Sequence, residues 1–285
     1  MTETSVPVPG GRLFVVDDGP EDAPAILLLH AGIVDLRAWD DLAPRLVAGG
    51  FRVVRYDARG YGRSETEDVE YSNRADAIAV LDGLGIGRAA LVGNSRGGQV
   101  ALDTAIEFPG RVAAVVGVGA GLGGFEGEAT PGEVAIFERM EALEETLDAA
   151  TGDERAALLE ELLDLDTTTW VDGPGQPADR VPAAIRDAVR RMNAEHGAPG
   201  RVQGRSIPLV PRANDRLSDL RCPVLAVAGA LDVSDVAQTA RHLASAAPHA
   251  RAVIVPGVAH LVGMEAPERL ADLILEFLAP LPRWS

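Results

Sequence analysis

At 285 residues, with 47% hydrophobic content and a mean hydropathy near zero, the chain can bury a sizeable core, as one large α/β domain or as a core with an insertion, and a disordered chain is excluded. Its 26 basic residues stand against 43 acidic ones, and the formal charge of −17 argues against nucleic acid and anionic membranes as partners. Every basic side chain other than histidine is arginine, so Schiff-base chemistry, a pyridoxal lysine and a P-loop lysine are all excluded.

Taken in chain order, short apolar runs predict strands over 12–16, 26–29, 52–56, 89–92, 112–118, 224–228 and 252–255. Amphipathic stretches between them predict helices over 38–47, 73–84, 96–107, 236–246 and 267–277. This alternation indicates an α/β fold with right-handed crossovers and a mostly parallel sheet covered on both faces. Between about Gly123 and Asp219 the rhythm stops, and acidic helical segments over 132–149 and 154–165 take over. We therefore expect a core of residues 1–122 and 220–285 carrying a helical cap over 123–219. Gly121 to Gly124 and the prolines Pro208 and Pro211 mark its edges.

Met1 to Pro7 lacks a basic region followed by an apolar stretch, and no apolar run is long enough to span a bilayer, so a cytoplasmic protein is expected. Cys222 is the only cysteine, which rules out an intrachain disulfide and a thiolate metal cluster. His30, His196, His242, His249 and His260 show no helical zinc-site spacing, and no metal is expected.

Gly93-Asn94-Ser95-Arg96-Gly97-Gly98, set between a predicted strand and a predicted helix, reads as a nucleophile elbow. Gly93 and Gly97 keep the flanks of a tight turn free, Ser95 stands at its tip, and the amide of Arg96 lies at a helix N-terminus that favours negative charge. A serine needs a base, and the base needs a carboxylate to orient it. His260 follows the last predicted strand and Asp232 the one before it, so all three fall at carboxyl ends of strands, where active sites of such sheets collect. The competing readings are ordinary ones: Ser95 as a helix cap, Asp232 or the nearby Asp235 as a cap, and His260 as a solvated loop residue. The Gly-x-x-Asp spacing from Gly229 favours Asp232 over Asp235.

With the order Ser95, Asp232, His260, the chain resembles an α/β-hydrolase-fold serine hydrolase. Leu27 to Gly32 resembles the strand and His-Gly-type turn of that family, and Tyr56 to Ser64 resembles its D-x-R-G-x-G-x-S loop. The resemblance implies an acyl-enzyme mechanism without a cofactor, with the amides of Gly32 (Ile33 in reserve) and Arg96 as the oxyanion hole. It also implies a cap that roofs the pocket. His30, Asp57 and Arg59 are read as structural, and the acidic run Glu141 to Glu145 as a solvated helix face. Ile33, Trp39, Phe125, Phe137, Met140, Trp170, Met192 and Leu261 are candidate pocket residues, although apolar residues at helical spacing equally serve packing. The expected partner is a small apolar ester or lactone, and the protein a monomer or homodimer. Two alternatives stay open. One is carbon–carbon hydrolysis of ring-cleavage products, to which Asn94 and a carboxylate-binding Arg190 or Arg191 would be suited. The other is a non-catalytic ligand-binding member of the fold.

Overall fold

The computed structural model describes residues 1–198 and 200–284. The chain runs β1 (Thr2–Val8), β2 (Gly11–Asp18), β3 (Ala25–Leu29), α1 (Ala43–Ala48), β4 (Arg52–Tyr56), β5 (Glu65–Thr66), β6 (Glu70–Tyr71), α2 (Asn73–Gly83), β7 (Ala89–Asn94), α3 (Arg96–Glu107) and β8 (Val112–Val118). It continues with α4 (Pro131–Ala149), α5 (Gly152–Asp166), α6 (Ala183–His196), β9 (Arg205–Ser206), β10 (Val224–Gly229), α7 (Ser234–Ala246), β11 (Ala250–Val255), α8 (Val262–Glu265) and α9 (Pro267–Leu278). The main sheet has the order β1-β2-β4-β3-β7-β8-β10-β11. Its first two pairings, β1–β2 and β2–β4, are antiparallel, and every pairing from β4 to β11 is parallel.

The central strands are apolar without alternation because both faces are covered: β3, β7, β8 and β10 are buried at every position. Two clusters, one on each face, share the sheet. Leu27, Leu91, Leu102 and Leu220 belong to one, and Leu28, Val92, Leu225 and Ile274 to the other. Burial of Cys222 pushes its thiol up to about 11, so this side chain behaves as a small apolar core residue.

The predicted strands and helices of the core are present with ends moved by a few residues, and one helix is divided. In place of 38–47 the chain forms a 3₁₀ turn over Leu36–Trp39, capped by the Asp35 carboxylate, and then α1 with Pro44 in its first turn. Proline lacks the N–H that would have continued the earlier turn into one helix. Between α5 and α6 the backbone widens into a π-helical turn, Thr167–Asp172. Beyond β9, Leu209, Ala213 and Leu217 return to the apolar cluster of the core. Among the described residues, no helix is long and apolar enough to cross a membrane.

Candidate active site

Ser95 stands alone between β7 and α3 with φ 54° and ψ −119°, a conformation L-residues avoid. Its amide donates to Val118 O at 2.8 Å, and its carbonyl accepts the Gln99 amide at 3.0 Å, which holds the strained residue from both sides. The hydroxyl makes no capping bond to α3, so the simple cap reading of this serine does not hold. Glycine is obligatory around it. A Cβ on Gly93 would lie 2.2 Å from Gly97 O, and one on Gly97 would lie 2.2 Å from Leu29 O, both against backbone that has nowhere to yield.

The parallel register brings β7, β10 and β11 to a common edge. Asp232 follows β10, where the Leu231 amide donates to Val258 O at 3.0 Å and so ties this loop to the one leading into His260. His260 Nδ1 meets Asp232 Oδ2 at 2.8 Å, and the other carboxylate oxygen accepts the Val233 amide at 2.8 Å. Both side chains are buried, with 0% of the Asp232 carboxylate and 5% of the His260 ring exposed, so solvent screens the pair little. Burial by itself lowers the His260 pKa. The adjacent Asp232 charge and hydrogen bond, with Asp235 and Glu265 farther off, outweigh burial and leave it above the ordinary value.

Asp235 plays no such part, since one of its carboxylate oxygens is buried without a partner and burial, reinforced by the Asp232 charge, raises its pKa. Asn94 Nδ2 donates to Val118 O at 2.9 Å and His260 O at 3.2 Å, linking the elbow strand to the histidine loop.

His30 is held on both ring nitrogens, with Nδ1 donating to Ala31 O at 2.8 Å and Nε2 accepting the Ala58 amide at 3.0 Å. Burial, helped by the nearby Arg96 charge, lowers its pKa to about 3, which leaves it neutral and structural. Asp57 accepts the amides of Leu36 and Arg63, and Arg59 forms a buried two-pronged ion pair with Asp76, so both brace the loop beneath the site.

A cavity of about 1220 Å³ opens over Ser95 and His260. Gly32, Ile33 and Arg96 line it beside the serine, and Met140 and Trp170 line it from the helical segment above. The Trp170 ring lies 4.7 Å from that of His260. The other five candidate pocket residues lie elsewhere, each for a packing reason. Trp39 is 2% exposed and packs in the core on the α9 side, while Phe125 stacks on His242 at 4.1 Å. Phe137 backs Trp170 at 6.0 Å, and Met192 and Leu261 are buried in one apolar cluster with Ala31 and Val171. Glu141 and Glu145 are exposed on α4 and border the cavity. Arg190 is bound to Glu160 and Asp164.

Several contacts leave no trace in the sequence. Arg180 donates to Asp172 O and Val171 O at 2.7 Å each and to Gly257 O at 3.0 Å, and it pairs with Glu265 at 2.5 Å. Glu265 in turn accepts the Ala259 amide at 2.9 Å, so the π-helical turn is fastened to the residue preceding His260. On the other side, Glu133 of α4 accepts the amide and hydroxyl of Ser234 at 2.7 and 3.0 Å, next to the Asp232 loop. Only a residue of the D-x-R-G loop carried a recognisable signal here: Tyr61 stacks on His196 at 3.8 Å along the cavity wall.

The chain belongs to the alpha/beta hydrolase family, whose sequence profile matches residues 26–273. It is a hydrolase of that fold. It is 32% identical over 275 residues to the rhodomycin D methylesterase of Streptomyces peucetius, covering 90% of each chain. Its fold is similar to that of a carboxylesterase from Bacillus subtilis, with a TM-score of 0.73 and 22% identity over 98% of this chain and 92% of the other. An enol-lactonase from Burkholderia xenovorans matches with a TM-score of 0.72 and 23% identity over 97% and 100%.

Proposed function

We propose that the protein hydrolyses a small-molecule carboxylic ester or lactone through an acyl-enzyme on Ser95. The observation that carries this reading is the buried 2.8 Å contact between His260 Nδ1 and Asp232 Oδ2 at the edge of the cavity that also holds Ser95. A carboxylate on Nδ1 keeps the proton there and leaves Nε2 as the base. His260 takes the Ser95 proton as Oγ attacks the acyl carbon, then returns it to the leaving alcohol, and water repeats the cycle to free the acid. The amides of Gly32 and Arg96 receive the oxyanion, each worth on the order of 10² to 10³ in turnover.

Of the expected cap over 123–219, the helices within 131–196 serve as the roof while Leu209, Ala213 and Leu217 pack on the core, and Met140 and Trp170 meet the substrate, an arrangement consistent with their lining the cavity. The methylesterase relative, which aligns over 90% of both chains, supports an oxygen ester, while the relatives that hydrolyse ring-fission products align over less than half of this chain. Of the two arginines considered as a carboxylate clamp, Arg190 is already engaged by Glu160 and Asp164, and Arg191 does not line the cavity. A panel of methyl and ethyl esters, lactones and a ring-fission dienone, assayed on wild type and Ser95→Ala in parallel, tests the reading. Ester or lactone turnover that disappears in Ser95→Ala is expected, whereas a dienone turned over far faster than every ester would overturn the choice of bond.

A further inference from the structure

The backbone of Arg96 has a place in this chemistry, and its side chain has none yet. The side chain lines the cavity beside Ser95, with the guanidinium carbon 4.6 Å from the centre of the Tyr61 ring. Its Nε is buried without a hydrogen-bond partner, and among the described residues the guanidinium meets no carboxylate. The two other arginines that line the cavity are engaged with backbone: Arg155 with the carbonyls of Leu147 and Gly197, and Arg201 with those of Gly60 and Gly62. A ring face offsets part of the charge but accepts no in-plane N–H bond, so donors of a partly desolvated cation are left facing the cavity. The charge is felt by the surrounding groups, and together with burial it lowers the pKa of His196.

We infer that the Arg96 guanidinium is the receptor for a substrate carboxylate, and that the preferred substrates are half-esters whose acyl part carries one negative charge. The inference rests on the hydrolytic reading of Ser95. The planar fork of arginine matches a carboxylate through two parallel bonds. Because Arg96 is the next residue after the nucleophile, a carboxylate held there lies within a few bonds of the carbonyl on Ser95. A single charge is the match, since Asp68, Glu141, Glu144, Glu145 and Asp166 border the same cavity and would repel a more highly charged ligand.

Binding and turnover are measured separately. Ser95→Ala protein, with and without Arg96→Met, is titrated calorimetrically with monoethyl glutarate and with ethyl pentanoate, its neutral counterpart. The half-ester is expected to bind Ser95→Ala about ten- to a hundredfold more tightly than the double variant, and more tightly than ethyl pentanoate. In the Ser95 background, Arg96→Met is expected to collapse the ratio of kcat/KM for half-ester over neutral ester, and Arg96→Lys to retain part of it. Equal affinity for the two esters, or a half-ester affinity indifferent to Arg96→Met, overturns the inference. If Arg96→Met does not fold, a wild-type kcat/KM ratio at or below one overturns it without any variant. Half-ester binding with no turnover of either ester would leave the anion site standing and remove the esterase reading instead.

Discussion

Of the carboxylates around His260, Asp232 adjoins the ring and Asp235 stands farther off, and exchanging each of these two for its amide separates their roles. In Asp232→Asn the amide oxygen stays on the Val233 amide, where Asp232 Oδ1 accepts at 2.8 Å, because an NH₂ there would oppose another donor. The NH₂ then faces Nδ1, the ring carries its proton on Nε2, and the base is in the wrong tautomer. The charge is lost as well. An imidazolium about 4 Å from a carboxylate at an effective dielectric of about 20 is stabilised by about 4 kcal/mol, which is on the order of a thousandfold in rate. With the tautomer defect added, kcat/KM should fall by about 10⁴.

Asp235→Asn removes a charge that touches no proton of the relay, so activity at the optimum should stay within about tenfold. Since the ring must be neutral to act as base, activity is lost as pH falls through the His260 pKa. Asp235 helps raise that pKa, so the acid limb of kcat/KM should move to lower pH in Asp235→Asn. The assay is hydrolysis of a p-nitrophenyl ester across the pH range, read with a folding check by circular dichroism. A folded Asp232→Asn within tenfold of wild type, or Asp235→Asn as the more damaging change, would refute the reasoning.

Gly97→Ala drives a Cβ to 2.2 Å from Leu29 O and should cost about 1 to 3 kcal/mol, seen as a Tm several degrees lower together with reduced kcat, whereas Gly110→Ala, whose Cβ meets nothing within 4 Å, should leave both near wild type. His30 is protonated near pH 6.5 when unfolded but only near 3 when folded, so the stability it contributes is complete above 6.5 and is lost as pH falls; relative to His30→Gln, urea melts should show wild type losing about 2 kcal/mol between pH 6.5 and 5, and a constant difference would count against it. Arg180→Ala frees the π-helical turn from the histidine loop and should lower kcat about tenfold to a hundredfold, with partial recovery in Arg180→Lys; steady-state kinetics that do not distinguish the three would remove the positioning role.

How much of this was legible depended on whether a segment carried its own signal. Strands buried on both faces, such as Ala25–Leu29 and Val224–Gly229, announce themselves as apolar runs. So does the glycine-flanked serine, because only glycine tolerates the backbone approaching Gly93 and Gly97. β1 stayed hidden because it lies at the sheet edge, largely exposed and polar, and carries Pro7. The π-helical turn at Thr167–Asp172 and the Arg180 contacts stayed hidden because they are set by tertiary packing and by backbone carbonyls, which every residue type possesses alike. Apolar residues of the helical segment were equally ambiguous: Met140 and Trp170 reach the cavity while Met192 and Phe137 pack elsewhere, a difference decided by helix rotation rather than residue type.

Reaction with a fluorophosphonate probe, followed by peptide mass spectrometry on wild type, His260→Ala and Ser95→Ala, tests most directly whether the strained serine is the nucleophile. A single adduct on Ser95, slowed sharply in His260→Ala and absent from Ser95→Ala, is the predicted result. A folded wild type that hydrolyses esters yet carries no adduct on Ser95, or whose turnover survives in Ser95→Ala, would contradict the account.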